Sequence, residues 1–152
     1  MSKRAASRDA GAVSAPRAIV AGHGDFADGL VSAVQQITGR GTVFRSISAR
    51  ELSGTALDAL LLKSIDETGV RVIFTDMQAG SCSMASRRVL RDRPDVVVVA
   101  GANLPMLLDF VFADKLPAIE AARHALDRGR EAICAVGGES GAGGAGGAGR
   151  TK

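Results

Sequence analysis

The stretch Ala18-Ile19-Val20-Ala21-Gly22-His23-Gly24-Asp25-Phe26 decides the reading of this chain. A short apolar run reads as a buried strand and stops at a glycine. His23 stands alone between two glycines, and a helix starts at once, with Asp25 as its N-cap. An imidazole is thereby set at the carboxyl end of a strand with little side-chain bulk around it. Ligands and chemistry in open α/β sheets collect at such ends. Imidazole also titrates near neutral pH and can carry a group covalently.

Outward from this stretch, strand and helix alternate. The first strand spans 18–21. Its helix carries Phe26, Leu30, Val34 and Ile37 at helical spacing and stops at Gly39. A second strand spans 42–47. Ser53 caps a helix with Leu57, Leu60, Leu61 and Ile65 on one face and Gly69 as its stop. A third strand spans 70–75 and a third helix 81–90. The valine run at 96–100 reads as a strand buried on both faces. Pro105 starts a short helix in its first turn, with Asn103 shaping or capping its entry. Pro117 starts another through Ile119, Ala122 and Leu126, with Gly129 as its stop. A last strand can form at 132–136. The fold class is therefore α/β: a single domain with a mostly parallel four-stranded sheet, order 2-1-3-4, helices on both faces, and room for an extra C-terminal antiparallel strand.

Composition bounds the rest. The chain has 152 residues, enough for one domain with its own core. Residues 17–136 read as that domain. Residues 1–16 read as a disordered tail and 137–152 as a flexible Gly/Ala-rich tail. Five Phe and no Trp or Tyr leave little to stack nucleic-acid bases upon. The net charge of +3 owes much to Lys3, Arg4, Arg8, Arg150 and Lys152, so it is no phosphate-backbone footprint. Cys82 and Cys134 are far apart and fit no CxxC pattern, as for reduced thiols. No signal-peptide pattern and no membrane-length apolar run are present, so the expected location is cytoplasmic.

In the 2-1-3-4 order the switch point lies between the carboxyl ends of strands one and three. His23 leaves the first and Asp76 the third, after Val72-Ile73-Phe74-Thr75. A carboxylate on one ring nitrogen fixes the tautomer and leaves the other nitrogen as an unprotonated nucleophile. It also stabilises the positive charge that develops as the ring attacks phosphorus. Just past Asp76, Gly80 and Ser81 open a helix whose free N–H groups can hold phosphoryl oxygens. Gly24 lets a partner protein approach closely. No Walker-type loop is present, and no metal or cofactor is expected.

At these residues the sequence resembles the enzyme IIA domain of the mannose-type sugar phosphotransferase family. The resemblance rests on Ile19-Val20-Ala21-Gly22-His23-Gly24-Asp25-Phe26-Ala27 with Gly29-Leu30, on Thr75-Asp76 with Gly80-Ser81, and on Gly101-Ala102-Asn103-Leu104-Pro105-Met106-Leu107. These motifs fall in order across nearly all of 17–136. The resemblance implies a cytoplasmic carrier with a transient phosphohistidine, its active histidine at His23 and its orienting aspartate at Asp76. It implies a histidine-containing phosphocarrier protein as donor and an enzyme IIB protein as acceptor. The membrane is reached only through transporter subunits. It also implies a homodimer formed by exchange of the 132–136 strand. The family's Gly-Gly-Ser-Pro loop appears here as Ala79-Gly80-Ser81-Cys82.

Blander readings stand beside these. Asp76 can cap the helix that follows, and Ser81 reads as a cap that also faces the site. Cys82 reads as a small packing residue, with a redox switch as the alternative. His124 and the Arg87-Arg88 pair read as solvated surface, the pair with a minor docking alternative. The same phosphorylation can also serve regulation without transport. A third reading is a receiver domain phosphorylated on aspartate. It ranks lower, because Gly22-His23-Gly24 stands where a receiver needs an acidic pair for Mg²⁺.

Overall fold

The computed structural model describes residues 15–138. Four strands form one parallel sheet in the order β2-β1-β3-β4: β1 (Ala18–Gly22), β2 (Phe44–Ser48), β3 (Val72–Thr75) and β4 (Val97–Ala100). The helices are α1 (Phe26–Thr38), α2 (Gly54–Thr68), α3 (Ser81–Asp92), α4 (Leu104–Phe112) and α5 (Ala118–Glu131). The expected fold class and strand order are those observed.

Alternate residues of each strand feed two separate cores, as the pleat dictates. Ala18 and Val20 of β1, with Val72 and Phe74 of β3, pack against α1, α4 and α5 through Val34, Leu107, Phe110 and Ala122. Ile19, Ala21 and Ile73 face the opposite way, against Leu57, Leu61 and Ile65 of α2 and Cys82, Ala85 and Val89 of α3. Three of the chain's five phenylalanines meet in the first core. Phe74 and Phe110 lie 5.2 Å apart edge to face, and Phe44 lies 5.6 Å from Phe110. Arg17 seals the entry to β1: its guanidinium lies over the Phe110 ring and donates to the Leu116 carbonyl at 2.8 Å.

Local signals place most boundaries. Ser53 accepts the Ala56 N–H, and Asn103 accepts the Met106 N–H. Gly39 and Gly69 end α1 and α2 in the left-handed region. Asp25 holds the N-cap position of α1, but its side chain makes no capping bond and pairs with Arg50 instead.

Several expectations need correction. Residues 41–43 form a 3₁₀ turn, so β2 starts at Phe44; the Gln35 side chain accepts the Gly41 N–H and holds that turn. Strand β3 begins at Val72, two residues later than the apolar pattern suggests. Strand β4 pairs only with β3, so Val97 and Val98 are half-buried at an edge and the valine run is not covered on all sides. Ile37 is 58% exposed, because the buried stripe of α1 runs through Ala27 and Val34 and ends short of it. Gly129 stops nothing. It is buried inside α5 where that helix crosses α4, and a Cβ there would lie 2.7 Å from Met106 Cε and 2.8 Å from Met106 Cβ. The glycine serves close helix approach, and Asn103 Nδ2 donates to its carbonyl at 2.9 Å. Helix α5 therefore runs on to Glu131, and no fifth strand forms at 132–136 within the described chain. The two expected tails lie outside the described residues, apart from 15–16 and 137–138.

Candidate active site

The register Ala21 opposite Thr75 brings the exits of β1 and β3 side by side. His23 and Asp76 are thereby joined although 53 positions apart. Nδ1 of His23 lies 2.6 Å from Oδ2 of Asp76, and the His23 backbone N–H donates to the same oxygen at 2.9 Å. The other carboxylate oxygen, Oδ1, accepts the Met77 N–H at 2.8 Å. Burial alone would raise the Asp76 pKa, but the His23 N–H, the ring and the Met77 N–H outweigh it and hold the carboxyl below its ordinary value. The stability this contributes is complete above the ordinary carboxylate pKa and is lost as the pH falls through the lowered one.

Asp76 is sunk in the surface while the His23 side chain is 53% exposed. A proton on Nδ1 directed at Asp76 would leave the free lone pair on Nε2. Ser81 Oγ lies 3.3 Å from Nε2 and can donate to it. Ser81 is the first residue of α3, and Gly80 occupies the N-cap position, which corrects the reading of Ser81 as the cap. The first helical bond runs from the Met84 N–H to the Gly80 carbonyl, so the Ser81, Cys82 and Ser83 N–H groups precede the helical ladder. They sit at the positive end of the α3 dipole, and Ser81, the first residue of that helix, sets its hydroxyl beside Nε2. A nucleophilic nitrogen, an ionised partner that fixes its tautomer, and a cluster of N–H donors can accept an electrophile and hold anionic oxygens around it.

The glycines act through space and backbone. A Cβ on Gly80 would lie 2.8 Å from His23 Cε1 and 2.9 Å from Met77 Cγ, so the ring fits only against bare backbone. Gly24 has φ +51, in the region that L side chains avoid. Ser48 Oγ donates to its carbonyl at 2.9 Å, tying the His23 loop to the end of β2.

Three features were not read from the sequence. The Ser83 hydroxyl donates to the Met77 carbonyl, and Thr75 Oγ1 meets Ser83 Oγ at 2.7 Å in a buried pair. Together they close the loop between Asp76 and Gly80. A Thr eight residues before a Ser gives no sequence signal of that contact. Arg50, from the β2–α2 loop, reaches Asp25 at 2.8 Å and borders Gly24. His124, read as solvated, pairs through Nδ1 with Asp109 at 2.7 Å across α4 and α5. Both members of that second pair lie within helices, whereas His23 lies against the first residue of α3. Cys82 is fully buried, and burial, with Asp76 nearby, pushes its thiol up to about 11. That favours the packing reading over the redox one. Among the described residues, no group of three His, Cys, Asp or Glu could hold a metal, and no helix is long and apolar enough to cross a membrane.

Comparison with known proteins follows the same lines. The family model described as PTS system fructose IIA component, EIIA-man, matches residues 17–126. A mannose/sorbose-specific IIA subunit of a phosphotransferase system from Enterococcus faecalis superposes with TM-score 0.70 at 22% identity, covering 84% of this chain and 98% of that one. A phosphotransferase system component EIIA from Streptococcus agalactiae gives TM-score 0.72 at 21% identity, covering 78% and 95%. A sigma-54 interaction domain protein from Enterococcus faecalis shares the fold with TM-score 0.63 at 12% identity, covering 79% and 93%. No curated protein sequence matches the chain.

Proposed function

Because the chain belongs to the mannose-type enzyme IIA family and is a phosphotransfer component of a sugar phosphotransferase system, we propose that it is a phosphohistidine carrier loaded on Nε2 of His23. The observation that carries this reading is the 2.6 Å contact between Nδ1 and Asp76, which leaves Nε2 free and exposed beside the α3 N-terminus. The Nε2 lone pair forms the new P–N bond while the donor's P–N bond breaks, its electron pair returning to the donor's ring nitrogen. No proton need move. Nδ1 keeps its hydrogen, and Asp76 offsets the positive charge gained by the ring. The Ser81 hydroxyl and the N–H groups of the first α3 turn bind the phosphoryl oxygens. Gly24 and Gly80 keep the approach clear. The receiver reading is disfavoured because both Asp76 oxygens are already engaged by N–H donors.

The donor in this reading is a histidine-containing phosphocarrier protein, the acceptor an enzyme IIB protein, and the setting the cytoplasm. Phosphoryl transfer from the phosphorylated carrier, followed by mass mapping of the modified residue, tests it. Label on His23 that is acid-labile and base-stable supports the proposal. Label on Asp76, Ser81 or His124 with His23 unmodified ends it.

Gly80→Ala gives a graded check. The added methyl must displace the ring or Met77, and an error approaching 1 Å in a reacting group lowers rates by about 10²-fold. A folded variant whose labelling slows by roughly 10- to 10²-fold is expected. An unchanged labelling rate would mean that the ring is not held where the phosphoryl arrives.

We also propose that two chains pair through residues 132–136. Ile133 and Val136 are 75% and 94% exposed, and β4 leaves one edge unpaired. Light scattering at micromolar concentration should report a dimer. Truncation after Arg130 should give monomer or aggregate, whereas truncation after Gly137 should not. A wild-type monomer would refute the pairing.

A further inference from the structure

The loop between Asp76 and Gly80 lies open to solvent, with Met77, Gln78 and Ala79 all exposed. Yet its first residue carries the carboxylate that meets the His23 ring at 2.6 Å. The loop is held from beneath. Ser83, the third residue of α3 and only 1% exposed, donates its hydroxyl proton to the Met77 carbonyl. That proton is committed, so in the 2.7 Å contact with Thr75 Oγ1 it is Thr75 that donates and Ser83 that accepts. Thr75 ends β3 and is fully buried, and its own carbonyl accepts the Gly101 and Ala102 N–H groups at 3.0 and 2.9 Å. The Ser83 hydroxyl is thereby fixed to the sheet and to the loop that follows β4.

The Met77 backbone passes this anchoring on. Ser83 takes its carbonyl, and its N–H donates to Asp76 Oδ1 at 2.8 Å. With Oδ1 drawn to Met77, Oδ2 faces the His23 backbone and ring nitrogens. One chain of contacts therefore runs from the sheet through Thr75, Ser83, Met77 and Asp76 to Nδ1.

We propose that Ser83 is a positioning residue for phosphoryl transfer: its buried hydroxyl, acting through Met77, sets the orientation in which Asp76 meets the His23 ring. The proposal rests on the carrier reading above and adds to it a side chain that makes no hydrogen bond to the ring itself. Without the hydroxyl, the Met77 carbonyl turns outward to water, which reaches it easily on an exposed loop. Oδ1 then loses a fixed donor, and the carboxylate rotates and shares its oxygens with solvent. The ring is left to populate both neutral tautomers, of which only the one protonated on Nδ1 attacks from Nε2. The loss falls on the transfer step and not on the encounter with the donor, because Ser83 is buried beneath the surface that a partner touches.

The test compares wild type with Ser83→Ala, which removes the hydroxyl, and with Ser83→Cys, which keeps the side chain's bulk but donates weakly. Melting curves check that the variants fold. Single-turnover labelling by the phosphorylated histidine-containing carrier is followed against carrier concentration, and ¹⁵N spectra of the neutral His23 ring report its tautomer. The expected result is a saturating labelling rate lowered about 10-fold in Ser83→Ala and less in Ser83→Cys, with the half-saturating carrier concentration within about twofold of wild type. The ring signal should shift from the Nδ1–H form toward a mixture. In an Asp76→Asn background, Ser83→Ala should add no more than about twofold, because two residues acting through one contact are not additive. A wild-type rate and ring spectrum in folded Ser83→Ala would overturn the proposal. So would an undiminished loss in the Asp76→Asn background, which would put the effect of Ser83 elsewhere. Failure of both variants to fold would also overturn it, making the hydroxyl a requirement of the fold instead. Wild type that takes no label would end the carrier reading, and the ring spectra would still decide whether Ser83 orients the Asp76–His23 pair.

Discussion

His23→Ala is expected to take up no phosphoryl group at all, while folding as wild type does. The side chain is half-exposed and its ring packs little apolar surface, so stability should change by about 1 kcal/mol or less. The loss of function is complete for a chemical reason. No other group in the crevice joins a free lone pair to a fixed tautomer: Ser81 carries an unactivated hydroxyl, Cys82 is buried and protonated, and Asp76 is engaged with N–H donors. The His124–Asp109 pair has similar geometry and acts as an internal control, because it lacks the α3 N–H groups. Incubation with the phosphorylated carrier and intact-mass measurement decides the matter. Label persisting in the folded variant at His124 would show that the imidazole–carboxylate pair alone suffices, and would remove the helix N-terminus from the mechanism.

Asp76→Asn should cost the next largest factor. The two oxygens of Asp76 serve three N–H donors: Oδ2 takes the His23 backbone and ring, and Oδ1 takes Met77. An amide has one oxygen and one NH₂, so in either orientation a donor faces a donor. With NH₂ toward His23, the ring must accept at Nδ1, and its proton moves to Nε2, where it blocks attack. With NH₂ toward Met77, tautomer control survives but the negative charge that steadies the phosphorylated ring is gone. The comparable amide substitution in the serine-protease triad costs about 10⁴-fold. The proposed phosphoryl transfer moves no proton, so a loss of about 10²-fold in labelling rate is expected, with retained fold. Rapid-quench labelling against a melting curve tests this. Wild-type kinetics in the folded variant would make Asp76 a loop anchor only.

The sheet order and the meeting of His23 with Asp76 were legible because they rest on local signals. The apolar runs, the glycine that closes β1 and the cap residues Ser53 and Asn103 act over a few positions, and the parallel crossover rule does the rest. What escaped depends on contacts between distant segments. Gly129 looks like a stop until Met106 is seen against it. Ile37 fits the helical period, but the core it would join has already ended. Nothing near Asp109 in the sequence points to His124, and Arg50 reaches Asp25 from another loop. The valines of β4 follow a buried pattern because they face helices on both sides, while the open edge is a matter of strand order that composition does not record.

The contact between β1 and β3 also has a consequence for the timing of synthesis. His23 leaves the ribosome early, while Asp76 and the N-terminus of α3 follow more than 50 residues later. Until β2 and α2 have crossed and β3 has slotted beside β1, the histidine is a bare imidazole with neither fixed tautomer nor bound oxygens. Such a non-local pairing forms late relative to the helices. A growing or misregistered chain therefore lacks the paired and oriented imidazole on which the proposed transfer depends.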